Sequence, residues 1–418
     1  MSGSTRAAPG ESVDLVYDPT DPSVRRDPHP LFARLRREDP VHWSPRLSGW
    51  VVTRYDLGLE VLSGPPRLYS ADRVSPFHVR MPEPERSVAS EIMRWLSLWL
   101  VFRDPPDHTR IRRHLNQVLN VGVVESMRGQ IASIAATLLD RVAPGDAFDF
   151  RSDFSLQLPG LVVLDLLGAP REHLAEVKEW SDDLMLFIGS SRDVDDKYER
   201  ARRGARSMAA LFRELIADRR REPRDDALTK LMNSEINGES LTQDDLIASM
   251  MAVLNGGHET TANLLNNALL ALVAHPDVAG ALRKDPALMP GAVEEFLRYD
   301  SPVLSTARFL KGDTELGGRQ LKDGDRIFVM LVGANRDPDV FPEPDRLDIC
   351  RSPNPHMAFS KGPHFCLGAP LSRVEAEIAF DAILERYKTV EIVAPVETIP
   401  WNNSLVSRGP QYLPVRLR

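Results

Sequence analysis

Cysteine is nearly absent: two in 418 residues exclude a disulfide framework and fit a reducing compartment. No uninterrupted apolar run reaches the roughly 18 residues of a membrane span. The first ten residues, Met1 to Gly10, lack the apolar core of a signal peptide. A cytoplasmic protein is therefore expected. The net charge of −8 is spread along the chain without a basic tract, which argues against nucleic acid as a partner. There is also no internal repeat and no long low-complexity linker, although the length by itself would favour more than one domain.

One of the two cysteines has a distinctive setting. Phe359-Ser-Lys-Gly-Pro-His-Phe-Cys-Leu-Gly368 forms a loop punctuated by glycine and proline that runs into a helix. Free backbone N–H groups at a helix start stabilise a nearby negative charge and lower a thiol's pKa. Gly362 and Gly368 permit close approaches, and Pro363 stiffens the connection. Cys366 could thus serve as an axial metal thiolate against a large flat cofactor. Taken singly it could equally be a small buried apolar residue. Cys350 reads as a buried free thiol.

A second segment sits inside a long helix. Thr242 and Asp245 form a capping box, and the helix is expected to continue to His275-Pro276. It contains Asn255-Gly-Gly-His-Glu-Thr-Thr261. Two helical glycines cost about 1 kcal/mol each relative to alanine, so a compensating reason is needed, such as close approach to a flat ligand. Glu259 beside Thr260 can relay protons through water, and a threonine bonded back to a carbonyl can bend the helix. A plain helix kink is the other reading. No second histidine follows at HExxH spacing, so a zinc site is excluded. Glu295 and Arg298 share a helix face at i,i+3, an arrangement usually found on solvated surfaces.

Elsewhere, helices are expected after Pro28 and Tyr55. A β-hairpin is expected over 41–54, strands in TELGGRQL and DRIFVML, and a C-terminal hairpin from Asn402 to Arg418. The segment from Met93 to Phe102 is apolar nearly all round and reads as core.

Phe359, Gly362, His364, Cys366 and Gly368 resemble the haem-binding signature of the cytochrome P450 monooxygenases, and the order of the other motifs agrees. Ser360 departs from it, because the family usually has glycine there. The resemblance implies a mainly α fold with smaller β-sheets, with a long central helix over haem b (iron protoporphyrin IX). Matches from about residue 28 onward imply a flexible N-terminal extension over 1–22 and a single haem domain over 23–418.

By the same resemblance, Cys366 is the metal ligand and Phe359 packs beside it. His108, Arg112, Arg308 and His364 bind the propionates, and Gly256 and Gly257 lie against the haem. Glu259 and Thr260 deliver protons, and Glu295 and Arg298, with Asp345-Arg346 downstream, form a buried structural network. Trp95, Leu98, Trp99, Leu304, Val406 and Ser407 would line a substrate pocket. Asn255, usually aliphatic in the family, would either bond a polar substrate group or hold water. His258 would point away from the haem.

The implied function is insertion of one oxygen atom from O2 into a mid-sized, mostly apolar substrate of bacterial secondary metabolism. Electrons would come from a ferredoxin and its reductase, docking on Arg110, Arg113, Lys361 and Arg373, with the protein a monomer. A peroxide-driven peroxygenase or decarboxylase and a non-catalytic haem-thiolate protein are the alternatives.

Overall fold

The computed structural model describes residues 15–189 and 195–418. Its helices include α1 (His29–Glu38), α2 (Tyr55–Ser63), α3 (Glu85–Leu96), α4 (Asp107–Leu115), α5 (Gln157–Leu167), α6 (Leu174–Gly189), α7 (Lys197–Arg221), α8 (Gln243–Ala274), α9 (Met289–Tyr299) and α10 (Ala369–Arg386). Helix α8 runs for 32 residues, about 48 Å at 1.5 Å per residue. Both halves of its capping box form: Thr242 Oγ1 accepts from Asp245 N at 3.0 Å, and Asp245 Oδ2 accepts from Thr242 N at 3.3 Å. It is buried on most of its circumference because it packs against α5, α7, α9 and α10.

The strands of the five-stranded and three-stranded sheets are β1 (Val41–Ser44), β2 (Gly49–Val52), β3 (Tyr69–Ser70), β4 (Ala147–Asp149), β5 (Ser305–Leu310), β6 (Arg326–Met330), β7 (Val390–Ile392) and β8 (Pro414–Leu417). The larger sheet has the order β1-β2-β6-β5-β3. The expected hairpin forms its edge, with Val41 opposite Val52. Strand β6 runs parallel to β2 and antiparallel to β5, with Ile327 opposite both Trp50 and Arg308. This register places the base of Arg308 in the middle of the sheet.

Three expectations change. Of the extension over 1–22, residues 1–14 lie outside the described residues, while Leu15 and Tyr17 are buried with Phe32 and Leu35. Packing of Tyr17 against Phe32, with ring centroids 5.6 Å apart, anchors the chain well before Pro22. The C-terminal hairpin shrinks to an isolated bridge between Trp401 and Pro410, because β8 instead pairs with β7 and β4. Cys350 is exposed rather than buried.

Among the described residues, no helix is long and apolar enough to cross a membrane.

Candidate active site

The loop before α10 places Cys366 by backbone hydrogen bonds. Cys366 N donates to Phe359 O at 2.9 Å, and Ser360 N donates to Met357 O at 2.7 Å. Gly362 lies at φ +68°, and a Cβ there would stand 2.5 Å from the carbonyl oxygen of Leu62. Only glycine suits that position. Ser360 also adopts a left-handed φ, +62°, which explains why glycine is the ordinary residue there. Its buried hydroxyl has no hydrogen-bond partner.

Cys366 lies deep among protein atoms yet keeps accessible surface, as a side chain lining an interior space does. Burial pushes the thiol pKa up. The backbone N–H groups of Gly368 and Ala369 and the charges of Arg112 and Arg373 act against that shift. These are the donors that a helix start provides. Arg373 stacks over Phe359 at 4.7 Å and is held there by Glu294, with Nε 2.5 Å from Oε1.

Helix α8 flanks the same space. Thr261 Oγ1 donates to Ser372 Oγ at 3.1 Å, tying the helix to α10 six residues beyond Cys366. The two central glycines face different ways. Gly256 is exposed in mid-helix, and a Cβ added to it would meet nothing within 4 Å, so it borders open space. A Cβ on Gly257 would lie 2.7 Å from Val163 Cγ2, so Gly257 serves close packing of α8 on α5 and not contact with a cofactor. Thr260 Oγ1 donates to Gly256 O at 2.6 Å, the back-bond expected to bend the helix. Burial raises the pKa of Glu259, whose Oε1 accepts from Ser407 Oγ at 3.2 Å and stands 3.5 Å from Asn402 Nδ2.

His258 points away from this space: Nε2 lies 2.9 Å from Leu156 O, and burial drives its pKa down to about 4, so it is neutral. Asn255 does not face a substrate space either. Its Oδ1 accepts from Ser181 Oγ at 2.7 Å, and its amide nitrogen donates to Met251 O at 2.8 Å and approaches Met208 Sδ at 3.5 Å. It joins α8 to α6 and α7, and all its polar capacity is used by protein.

Between the sheet and the Cys366 loop lies a group of basic side chains that form no ion pair among the described residues, although the charge of Asp104 acts on Arg308, His108 and His364. Arg308 is buried; Nη1 donates only to Ala307 O, and Nη2 has no partner. Burial lowers its pKa to about 10. His108 stacks on His364 with ring centroids 4.2 Å apart, and its Nε2 is likewise without a partner. Burial lowers these two imidazoles to about 4 and about 3, with Arg308 contributing to both shifts. Arg112 has no hydrogen-bond or ion-pair partner among the described residues. A further member escaped the sequence reading: Arg73, lowered to about 10 by burial and by the charge of Arg308, with Nε unpartnered. Only its position after the short strand β3 hints at it, and no motif marks it. Buried cations without partners are costly and normally mark an absent anion.

The profile of the family described as Cytochrome P450 matches residues 77–413. The chain belongs to the cytochrome P450 family. The polyketide biosynthesis cytochrome P450 PksS of Bacillus subtilis is 33% identical over 410 residues, covering 96% of this chain and 99% of PksS. The 6-deoxyerythronolide B hydroxylase of Saccharopolyspora erythraea is 32% identical over 417 residues, covering 97% of this chain and 100% of the relative. The structure of P450BioI in complex with acyl carrier protein carrying hexadec-9Z-enoic acid superposes with a TM-score of 0.87 at 30% identity. It covers 95% of this chain and 99% of P450BioI.

A P450 is a haem-thiolate oxidoreductase, and the residues present fit that group. Unpartnered atoms on Arg308, His108 and Arg73 suit two propionates, Cys366 supplies a sulfur, and Gly256 leaves room on the opposite side.

The other site residues divide. Leu304 N donates to Val406 O at 2.7 Å and Ser407 bridges Val303, so these pocket candidates come together. Trp95 does not join them: it is buried between the guanidinium groups of Arg94 and Arg213, at 5.0 and 5.6 Å, facing α7. Trp99 stacks on Phe102 with centroids 6.2 Å apart. Glu295 and Arg298 form a fully buried bidentate pair with both contacts at 2.7 Å. The third side chain on Glu295 is Arg351, at 3.2 Å, and not Arg346, which offers only its carbonyl to Arg298. Of the expected docking cations, Arg110 pairs with Asp245 and Arg373 with Glu294. Arg113 and Lys361 have no ion-pair partner among the described residues.

Proposed function

We propose that the protein is a haem b monooxygenase of the cytoplasm that oxygenates a mid-sized, mostly apolar intermediate of polyketide or macrolide type. Its electrons come from a ferredoxin and its reductase, docking around Arg113 and Lys361. The substrate class rests on the names of PksS and the 6-deoxyerythronolide B hydroxylase. The observation that carries the assignment of the haem is the set of unpartnered buried cations beside Cys366.

Bound haem supplies dioxygen activation, and thiolate ligation favours O–O cleavage. Cys366 Sγ is the ligand; the N–H groups of Gly368 and Ala369 hold its negative charge. Arg308, Arg112 and Arg73 would neutralise the propionates, and His108 and His364 would offer them ring N–H donors. Burial shifts Glu259 toward its protonated form, and Thr260 Oγ1, one residue on and bonded to Gly256 O, would pass a proton toward the space beside Gly256. Leu304 and Val406 would supply apolar surface to the substrate space.

Carbon monoxide addition to the reduced protein tests this reading. The native protein should show a thiolate-type absorption maximum, and Cys366→Ala should abolish it. Retention of the maximum in Cys366→Ala would refute the ligand. Product formation with NAD(P)H, ferredoxin and reductase, and not with peroxide alone, distinguishes the monooxygenase from a peroxygenase.

A further inference from the structure

Glu259 is partly buried, and the proton it delivers must be replaced through the hydrogen-bonding groups that touch it. Its hydrogen-bond partners come from one segment, residues 402–407, and not from α8 itself. Ser404 Oγ accepts from the backbone N–H of both Val406 and Ser407, at 3.1 and 3.0 Å, and so fixes the turn that presents Ser407. The segment is clamped at both ends. Trp401 bridges Pro410, and Arg408 donates to Asp300 Oδ1 at 2.6 Å while lying 4.1 Å over the Trp401 ring.

Behind Ser407 is a cavity of about 20 Å³ whose lining includes Tyr17, Asn402, Ser404, Ser407 and Arg408. Residues such as Val24 and Leu304 make much of the lining apolar, but Asn402, Ser404 and Ser407 offer polar partners, and a space of more than about 10–15 Å³ with such partners holds one water. A second observation points to water here. Asn263, one helical turn beyond Glu259, is fully buried against Gly409, and both its amide nitrogen and its oxygen lack partners. Buried amides of this kind are normally satisfied by ordered water.

We infer that Ser407 is a positioning residue through which Glu259 exchanges its proton with water in the cavity beneath the 401–410 bridge. The inference rests on the relay role proposed for Glu259. The transfer conserves bonds: the Ser407 hydroxyl gives its proton to Glu259 Oε1, forming one O–H bond as another breaks, and takes a proton from the adjacent water. Asn402 holds the same carboxylate oxygen from the other side. The remaining charges acting on Glu259 are Arg151, Asp182 and Lys178, and none of them belongs to this segment.

Infrared difference spectroscopy of the holoenzyme reads the carboxyl directly, with the Glu259 C=O band identified by its loss in Glu259→Gln. In Ser407→Ala the pH midpoint of that band should rise, since the lost hydroxyl contact favours the charged form. Turnover should fall about tenfold with an enlarged solvent deuterium isotope effect, less than the roughly hundredfold or more that loss of a general acid or base costs, because Glu259 itself remains. Ser407→Thr should restore all three. Wild-type midpoint, turnover and isotope effect in Ser407→Ala, with Glu259→Gln impaired, would overturn this inference alone. An unimpaired Glu259→Gln would overturn the relay itself. Should Ser407→Ala not form the thiolate carbon monoxide complex, Ser404→Ala releases Ser407 without touching Glu259 and should move the same readouts in the same direction. No movement in Ser404→Ala would also overturn the inference.

Discussion

Two groups of arginines set well into the protein, one around Arg298 and one around Arg308, are treated in opposite ways. Arg298 donates to both oxygens of Glu295 and to the carbonyls of Asn335, Pro344 and Arg346. Glu295 in turn accepts from Asp348 N, Arg351 and Asn354. Every charge there has a partner within the protein. Arg308 is nearly as deeply placed and Arg73 is half-buried, but each retains a buried nitrogen with no acceptor among the described residues. The first group fastens the meander before Cys366 to α9. The second is complete only with an anionic ligand. Burial therefore does not by itself decide purpose; the count of satisfied donors separates a structural cluster from a binding one.

The largest expected effect comes from breaking the satisfied group. Arg298→Ala leaves Glu295 buried without its main partner and should cost about 3–5 kcal/mol, enough to prevent accumulation of folded haem protein. Urea unfolding followed by circular dichroism measures this loss. Arg308→Met should behave differently. Removing a charge with no counter-charge should leave the haem-free protein at least as stable in the same urea experiment, while haem transfer to an acceptor apoprotein accelerates about tenfold. Equal destabilisation by the two substitutions would erase the distinction between the groups. The smallest effect concerns the Cys366 loop. Ser360→Gly should relieve the left-handed backbone and raise stability by about 1 kcal/mol, seen as a higher urea midpoint. No gain would mean that the hydroxyl contributes what the φ angle costs.

Much of the site is legible in the residues because its constraints are local. The capping box fixes the start of α8 at Thr242, and a turn that needs a left-handed φ at Gly362 records itself as glycine. Residues at i,i+3 such as Glu295 and Arg298 must share a face wherever the helix lies. Direction around a helix is harder to read. Gly256 and Gly257 are adjacent and look equivalent, but one turn of about 100° sends one to open space and the other against Val163. For the same reason Asn255 is bonded to Ser181, and Trp95 faces Arg213. Arg73 and Arg351 are invisible to motif reading because their partners are distant in the chain or are ligands.

By itself the sequence determined the glycine-punctuated loop that carries Cys366 into a helix, the long central helix and the acid–base pair spaced within a single helix. Each depends on backbone conformation over a few residues. Only the tertiary structure decided which buried charges are satisfied, which glycine borders the cofactor space, and that Ser407 reaches Glu259. Those outcomes depend on how helices and sheet meet, and contacts between segments far apart in the chain leave no spacing to read.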